Sequence, residues 1–161
     1  MKTGRICVIF ALLLALLLAG CAGGGASSGQ KEAQAILEGE SLRIPLKEIG
    51  ETASFYPVEV DGTAMEVLAV KASDGSIRTA FNTCEVCFDS GRGYYKQEGG
   101  DLVCQNCGNR FSMDQIEQQS RGCNPWPILA GDKTATEEEI LIPYEFLADS
   151  KRVFENWKSR S

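Results

Sequence analysis

Residues 74–111 read DGSIRTAFNTCEVCFDSGRGYYKQEGGDLVCQNCGNRF and contain two Cys-x-x-Cys pairs. Cys84 and Cys87 form the first pair, and Cys104 and Cys107 form the second, with 16 residues between the pairs. Two residues between cysteines let both thiolates of a tight turn face one metal ion, and two such turns supply the four ligands of a tetrahedral site. The spacing falls in the range of a four-cysteine zinc ribbon. The segment therefore predicts a metal centre with these four cysteines as ligands.

A fifth cysteine, Cys123, lies on a loop shaped by Gly122 and Pro125. A simple zinc ribbon binds its metal with four cysteines and does not include a fifth. Cys123 is therefore a further ligand, a resolving thiol or a small buried apolar residue. Ligand sets made only of sulfur suit zinc, a single iron, an iron–sulfur cluster or cuprous copper. The residues by themselves leave these metals, and the three roles of Cys123, as alternatives.

Disulfide chemistry is the competing interpretation of the five cysteines, because compartments outside the cytoplasm are often oxidising. An odd number of cysteines would leave one thiol over, and a disulfide within a Cys-x-x-Cys pair closes a loop too small to stabilise a fold much. A thioredoxin-like dithiol normally begins a helix, which lowers the pKa of its thiol. Both pairs here follow predicted strands instead. Metal binding is therefore the favoured interpretation, with thiol–disulfide exchange as an alternative.

Both cysteine pairs are expected at the ends of β-hairpins. Turn residues 73–76 and 98–101 each precede a short strand that leads directly into Cys84 or Cys104. Gly108 fits a knuckle that needs a positive φ angle. The predicted fold class is α+β, mostly β, with a small antiparallel sheet, a zinc-ribbon-like metal lobe and a C-terminal helix after Pro143. Strands are predicted at residues 41–44, 55–60, 64–72, 77–81, 94–97, 102–104 and 140–142. The strand at 55–60 is expected to end in a turn at Asp61-Gly62, and the strand at 64–72 is expected to be buried on both faces. Short helices are predicted at 31–40 and from Ser112 to 119, the second with a capping box completed by Gln115.

The N-terminus resembles a bacterial lipoprotein signal. Lys2 and Arg5 precede an apolar run at residues 6–18 that is too short for a membrane span, which needs about 20 apolar residues. Residues 18–21 resemble a lipobox, in which Cys21 is acylated, for example with palmitate, and becomes the first residue of the mature chain. We therefore expect a signal peptide at residues 1–20, a lipidated Cys21 with a flexible tether to residue 40, and a five-cysteine domain at 41–161. This places the protein on the extracytoplasmic face of a bacterial envelope membrane.

The charge and the lack of histidine exclude several classes of function. The chain of 161 residues has 16 Lys and Arg, 22 Asp and Glu, and no His, for a net charge of −6, which becomes −8 without residues 1–20. An acidic surface repels phosphate backbones, so no nucleic-acid partner is expected. The absence of histidine excludes the usual Ser–His and Cys–His nucleophiles. An electron carrier or metal-binding protein is expected rather than an enzyme, and no catalytic residue is assigned.

Between Tyr56 and Pro125 the chain resembles the membrane iron–sulfur proteins of the FtrD-like family, through residues 74–87, 93–99, 102–111 and 122–125. The resemblance implies a ferredoxin-like electron carrier associated with iron transport. Its cofactor would be an iron–sulfur cluster or iron, with zinc as the alternative. An iron permease or a periplasmic iron- or copper-binding protein would be its partner. The resemblance implies five site residues: Cys84, Cys87, Cys104, Cys107 and Cys123.

Overall fold

A computed structural model describes residues 31–118 and 122–160 of the chain. The signal peptide predicted at residues 1–20, the lipidation site predicted at Cys21 and most of the predicted tether lie outside the described residues.

Within the described ranges, eleven strands and one α-helix follow one another along the chain. The strands are β1 (Gln34–Ala35), β2 (Ser41–Pro45), β3 (Ser54–Val60), β4 (Thr63–Lys71), β5 (Ile77–Cys84), β6 (Tyr95–Glu98), β7 (Asp101–Cys104), β8 (Arg110–Ser112), β9 (Pro125–Pro127), β10 (Thr134–Ala135) and β11 (Glu139–Pro143). Helix α1 (Tyr144–Asp149) comes near the C-terminus and is followed by a 3-10 helix, Lys151–Phe154. The fold is therefore mostly β with a short C-terminal helix, which confirms the predicted class.

The strands form three sheets. The central sheet has five strands in the order β1-β3-β4-β5-β9, and only its β1–β3 pair is parallel. Two antiparallel sheets of three strands, β10-β11-β2 and β6-β7-β8, complete the described fold. The expected antiparallel pairing is thus present, but the two cysteine pairs belong to different sheets. Cys84 ends β5 of the central sheet, whereas Cys104 ends β7 of the β6-β7-β8 sheet.

The central sheet has a hydrophobic core on each of its faces. Met65, Val67 and Ala69 of β4 belong to a core that includes residues of β2, β11 and α1. Leu68 and Val70, which alternate with them, belong to a second core that contains three of the cysteines. Successive side chains of a strand point to opposite faces. The prediction that β4 is buried on both faces is therefore confirmed, and one face of the central sheet supports the cysteines.

Tight turns fix the register of the hairpins. Asp61 and Gly62 have φ angles of 48° and 77° and connect β3 to β4 in a two-residue loop, as expected of a hairpin turn with two positive φ angles. In the turn before β5, the Asp74 carboxylate accepts hydrogen bonds from the Ser76 hydroxyl and from the Arg78 guanidinium. Both turns were predicted from their residues.

Two helix predictions are wrong. Residues 31–40 contain strand β1 instead of a helix, and Ile36 is buried in the core, so the ordered sheet begins ahead of Ser41. The Ser112–Gln115 capping box is present, but it begins a 3-10 helix of three residues, Met113–Gln115. The chain then becomes extended at Ile116, which is 1% exposed, because burial of this side chain outweighs continuation of the helix.

No helix within residues 31–118 and 122–160 combines the length and the apolar character that a membrane span requires.

Candidate metal centre

The first knuckle is the turn that follows β5. The Cys84 amide donates a hydrogen bond of 2.7 Å to the Gly93 carbonyl, and the Cys87 amide donates to Cys84 Sγ at 3.4 Å. A 3-10 helix, Phe88–Ser90, begins directly after Cys87. The backbone of the turn therefore curls around the Cys84 sulfur, as expected when two thiolates of a Cys-x-x-Cys pair face one ion.

The backbone of Gly93 is in close contact with the backbone of this knuckle. A Cβ atom at Gly93 would lie 2.1 Å from the Cys87 carbonyl oxygen and 2.7 Å from the Phe88 amide nitrogen. Both neighbours are backbone atoms that cannot rotate away, so no side chain fits at this position. Gly93 was not predicted as a site residue.

The second knuckle follows β7 in the same way. The Cys104 amide donates to the Asn109 carbonyl and the Gly108 amide donates to the Cys104 carbonyl, both at 2.9 Å. Gly108 has a φ angle of 75°, which confirms the positive φ angle predicted from the sequence. The Gln105 amide also donates to the Tyr94 carbonyl at 2.8 Å, so the knuckle is held by the residue that precedes β6, the strand paired with β7.

Cys123 reaches the two knuckles through β9. Pro125 pairs with Cys84 at an irregular end of the β5–β9 ladder, and the Glu85 amide donates to the Asn124 carbonyl at 3.1 Å. The Tyr95 hydroxyl donates a 2.6 Å hydrogen bond to the Cys123 carbonyl. The loop that carries the fifth cysteine is therefore attached both to the first knuckle and to the sheet of the second knuckle.

The five sulfurs fall into two groups of three that share one member. The sulfurs of Cys84, Cys87 and Cys104 lie within 4.8 Å of one another, and so do those of Cys87, Cys107 and Cys123. The first group is buried, with exposed fractions of 0%, 7% and 1%. In the second group Cys107 is exposed and Cys123 is half-buried. The centre therefore has an inner group in the core and an outer group at the surface, joined at Cys87.

All five cysteines are free thiols. Cys87 Sγ and Cys123 Sγ are 4.0 Å apart, about twice the length of an S–S bond. The structure therefore contains no disulfide framework among the cysteines that it describes.

Hydrogen bonds between the thiols separate their pKa values. A hydrogen bond from the Cys104 thiol lowers the pKa of Cys84 to about 5, and the same interaction raises the pKa of Cys104. Burial is the main cause that raises the pKa of Cys123 to about 12. The hydrogen bond between the two thiols thus favours the thiolate form of Cys84 over that of Cys104. The thiolate is the form of cysteine that binds metals.

Asn82 joins the central sheet to the sheet of the second knuckle. Its side chain is buried, its Oδ1 accepts a hydrogen bond of 2.8 Å from the Tyr95 amide, and its Nδ2 donates to Glu66 and to the Tyr95 carbonyl. Trp157 Nε1 donates to the Asn82 carbonyl at 2.7 Å. Asn82 therefore fixes the distance between the strands that end in Cys84 and Cys104. The sequence gives no local signal for this role, and Asn82 was not predicted.

Neighbouring carboxylates have other partners. Asp89 accepts a hydrogen bond from Asn156, and Glu98 forms an ion pair of 3.1 Å with Arg110. The candidate donor set therefore consists of sulfur, which suits zinc, iron, an iron–sulfur cluster or cuprous copper.

A family model described as membrane iron-sulfur containing protein, FtrD-like, matches residues 49–154. The matched residues contain all five cysteines of the centre. No curated protein and no solved structure matches the chain at a significant level.

Proposed function

The chain belongs to the FtrD-like family of membrane iron–sulfur containing proteins, and from this membership we propose that it carries electrons through a cysteine-ligated iron centre in association with iron transport. The family description suggests both the iron–sulfur cofactor and the link to a membrane. The cysteine cluster supports metal binding.

The observation that carries the proposal is the convergence of five thiols from three separate parts of the chain. The ligands would be Cys84, Cys87, Cys104, Cys107 and Cys123. A bound iron–sulfur cluster supplies a one-electron redox couple. The chain's own residues would bind it through sulfur, shield its inner side with the second core, and leave its outer side accessible at Cys107.

Exposure at one side of the centre supports exchange with a partner. Cys107 is exposed, and Val86, inside the first knuckle, is 62% exposed. An electron donor or acceptor can approach this surface closely, whereas Cys84, Cys87 and Cys104 pack in the second core with Tyr95, Leu102 and Phe111. We propose that the partner is an iron permease or a periplasmic metal-binding protein, and that it docks on this surface.

We further propose that Cys21 is acylated and holds the domain on the extracytoplasmic face of a bacterial envelope membrane. The motif at residues 18–21 and the Gly- and Ser-rich residues after it support this proposal. Expression in a bacterial host followed by mass spectrometry of the N-terminal peptide tests it. A mature chain that begins at an acylated Cys21 is expected, and cleavage elsewhere without lipid would contradict the anchor.

Metal and sulfide content, together with a visible absorption spectrum, tests the electron-carrier proposal. The full chain would be purified in detergent without oxygen. Iron with acid-labile sulfide, and broad visible bands that dithionite bleaches, are the expected result. One zinc ion per chain without visible absorption would contradict the proposal and indicate a structural zinc ribbon instead.

Two further comparisons separate the alternatives. Cys123→Ser is expected to alter the visible spectrum of an iron centre, whereas a four-cysteine zinc ribbon would bind its metal equally well without Cys123. A thiol–disulfide oxidoreductase would show dithiol turnover in a metal-free preparation, and the loss of one Cys-x-x-Cys pair would abolish that turnover. Such metal-free turnover is not expected of this chain.

A further inference from the structure

The division of the five sulfurs into two groups carries an inference about the number of metal ions. We propose that the chain binds two thiophilic metal ions, one in each three-sulfur group, and that the Cys87 thiolate bridges them. The inner ion would have Cys84, Cys87 and Cys104 as ligands, and the outer ion Cys87, Cys107 and Cys123. The inference rests on the proposed function only in that the five thiols bind metal.

The spacing of the sulfurs fits three-coordinate sites. With metal–sulfur bonds of about 2.3 Å, an ion at the centre of three sulfurs places them at the corners of a triangle with sides of about 4.0 Å. The observed distance from Cys87 Sγ to Cys123 Sγ is 4.0 Å. All distances within each group are at most 4.8 Å, so each group can close on an ion through small side-chain rotations.

The two groups of sulfurs differ from the set of four that a single tetrahedral site would use, although the Cys107 thiol also hydrogen-bonds Cys104. A tetrahedral ion bound by both Cys-x-x-Cys pairs would bring all four sulfurs to within about 3.8 Å of one another. Among the described cysteines, Cys107 instead groups with Cys87 and Cys123, and the inner group contains Cys104 without its knuckle partner. The second knuckle thus contributes one sulfur to each group. A zinc ribbon would direct both sulfurs of a knuckle to one ion.

Cys87 is placed to act as the bridge. It is the one member that the two groups share, and it is 7% exposed, between the buried sulfurs and the surface. Its backbone is fixed from both sides, because its amide donates to Cys84 Sγ and its carbonyl accepts from the Ser90 amide at 3.0 Å. A thiolate has more than one lone pair, so it can ligate two ions at once.

Charge favours two ions over one. Five metal-bound thiolates carry five negative charges, and three of these sulfurs lie in the core. One divalent ion offsets two of those charges, whereas two divalent ions offset four. Because uncompensated charge is costly in the interior, the pair of ions is the better match to the full set of thiolates.

Cadmium is a suitable probe, because it binds thiolates and its 113Cd isotope is visible by NMR. The full chain, reduced in detergent without oxygen, would be titrated with 113Cd²⁺. Native mass spectrometry is expected to show two cadmium ions per chain. Two 113Cd resonances in the range typical of thiolate ligands are expected, with a scalar coupling between them that passes through the shared sulfur. One cadmium per chain, or two resonances without coupling, would overturn the proposal.

Cys123→Ser provides the decisive variant, because it removes a ligand of the outer ion alone. It is expected to retain one cadmium per chain at the inner group and to lose the coupling. Binding of two coupled ions by this variant would overturn the assignment. Leu37→Ser is the matched control, since Leu37 is an exposed apolar residue that belongs to neither sulfur group, and it should retain both ions.

This test is independent of the iron proposal. If the chain binds two coupled cadmium ions but contains no redox-active iron when isolated, the two-ion proposal stands and the electron-carrier proposal fails. If the chain contains an iron centre but takes up only one cadmium ion, the electron-carrier proposal stands and the two-ion proposal fails.

Discussion

The hydroxyl of Tyr95 donates a hydrogen bond of 2.6 Å to the backbone carbonyl of Cys123. Tyr95 is 1% exposed, begins β6 and packs edge-to-face against Phe111 of β8. This contact attaches the loop of the fifth cysteine to the sheet that carries the second knuckle. The position of Cys123 Sγ therefore depends on a side chain that is not itself a ligand.

Tyr95→Phe should loosen the outer sulfur group without disturbing the core. The ring still packs on Phe111, but the Cys123 carbonyl loses its donor, which costs about 1 kcal/mol of unfolding free energy. We expect weaker cadmium binding at the outer group and a smaller effect at the inner group, where the Tyr95 hydroxyl also hydrogen-bonds the Cys84 thiol. Isothermal titration of the wild type and the variant measures both. Equal weakening of the two groups would contradict this role of Tyr95.

Tyr56→Phe is the matched change with the opposite expectation. The Tyr56 hydroxyl is buried and has no hydrogen-bond partner among the described residues. Its removal takes away an unsatisfied polar group, so the free energy of unfolding should stay equal or rise by about 1 kcal/mol. Urea denaturation of the metal-free protein measures the change. A loss of stability as large as that of Tyr95→Phe would show that the hydroxyl has a partner.

Gly93→Ala is expected to abolish the first knuckle. The new methyl group would overlap the Cys87 carbonyl, so the turn must open and Cys87 must move away from both sulfur groups. We expect loss of both cadmium ions in the titration. Gly100→Ala is the control, because a Cβ atom there has no neighbour within 4 Å. Full binding by Gly93→Ala would disprove the close packing inferred at Gly93.

Asn82→Ala should destabilise the protein more than either tyrosine substitution. It leaves the Tyr95 amide without its acceptor and removes a donor from the buried Glu66 carboxylate, which together cost about 3 kcal/mol. Chemical denaturation of the metal-free protein measures the loss. Asn156→Ala, which removes an exposed hydrogen bond to Asp89, is the control and should change stability by less than about 0.5 kcal/mol.

Asp74 provides a pH-dependent contribution to stability. Hydrogen bonds from Ser76, followed by the interaction with Arg78, lower the pKa of the Asp74 carboxyl from 3.8 to about 2. A carboxyl whose pKa is lower in the folded state stabilises the fold above its unfolded pKa, and the contribution is lost as the pH falls toward the folded pKa. The stability difference between wild type and Asp74→Asn should therefore shrink between about pH 4 and pH 2. A constant difference across this range would contradict the assignment.

Local sequence signals predicted the parts of the fold that local interactions determine. The Asp61-Gly62 turn, the burial of β4 on both faces and the positive φ angle of Gly108 follow from residue type and spacing. The proximity within each Cys-x-x-Cys pair follows in the same way. The helix predicted after Ser112 failed because Ile116 has its burial site in the second core, which no local pattern reveals.

Long-range contacts determined the rest of the centre. Cys123 meets Cys87 because β9 pairs with β5, and that pairing joins segments about 40 residues apart in the chain. The division of the two knuckles between two sheets depends on Asn82, whose partners lie on other strands and at the C-terminus. No local sequence pattern marks Gly93 as essential, because a glycine is needed there only where the Cys87 backbone approaches it closely.

The late position of β9 has a consequence for how the centre is assembled. Until the chain beyond Gly122 has docked on the edge of β5, the two knuckles present four sulfurs and the outer group has only two of its three. The outer group is thus complete only when β9 is paired, since a chain truncated before Pro125 has no strand to bring Cys123 into place. Metal binding at the outer group would then require that β9 has been made and has paired with β5.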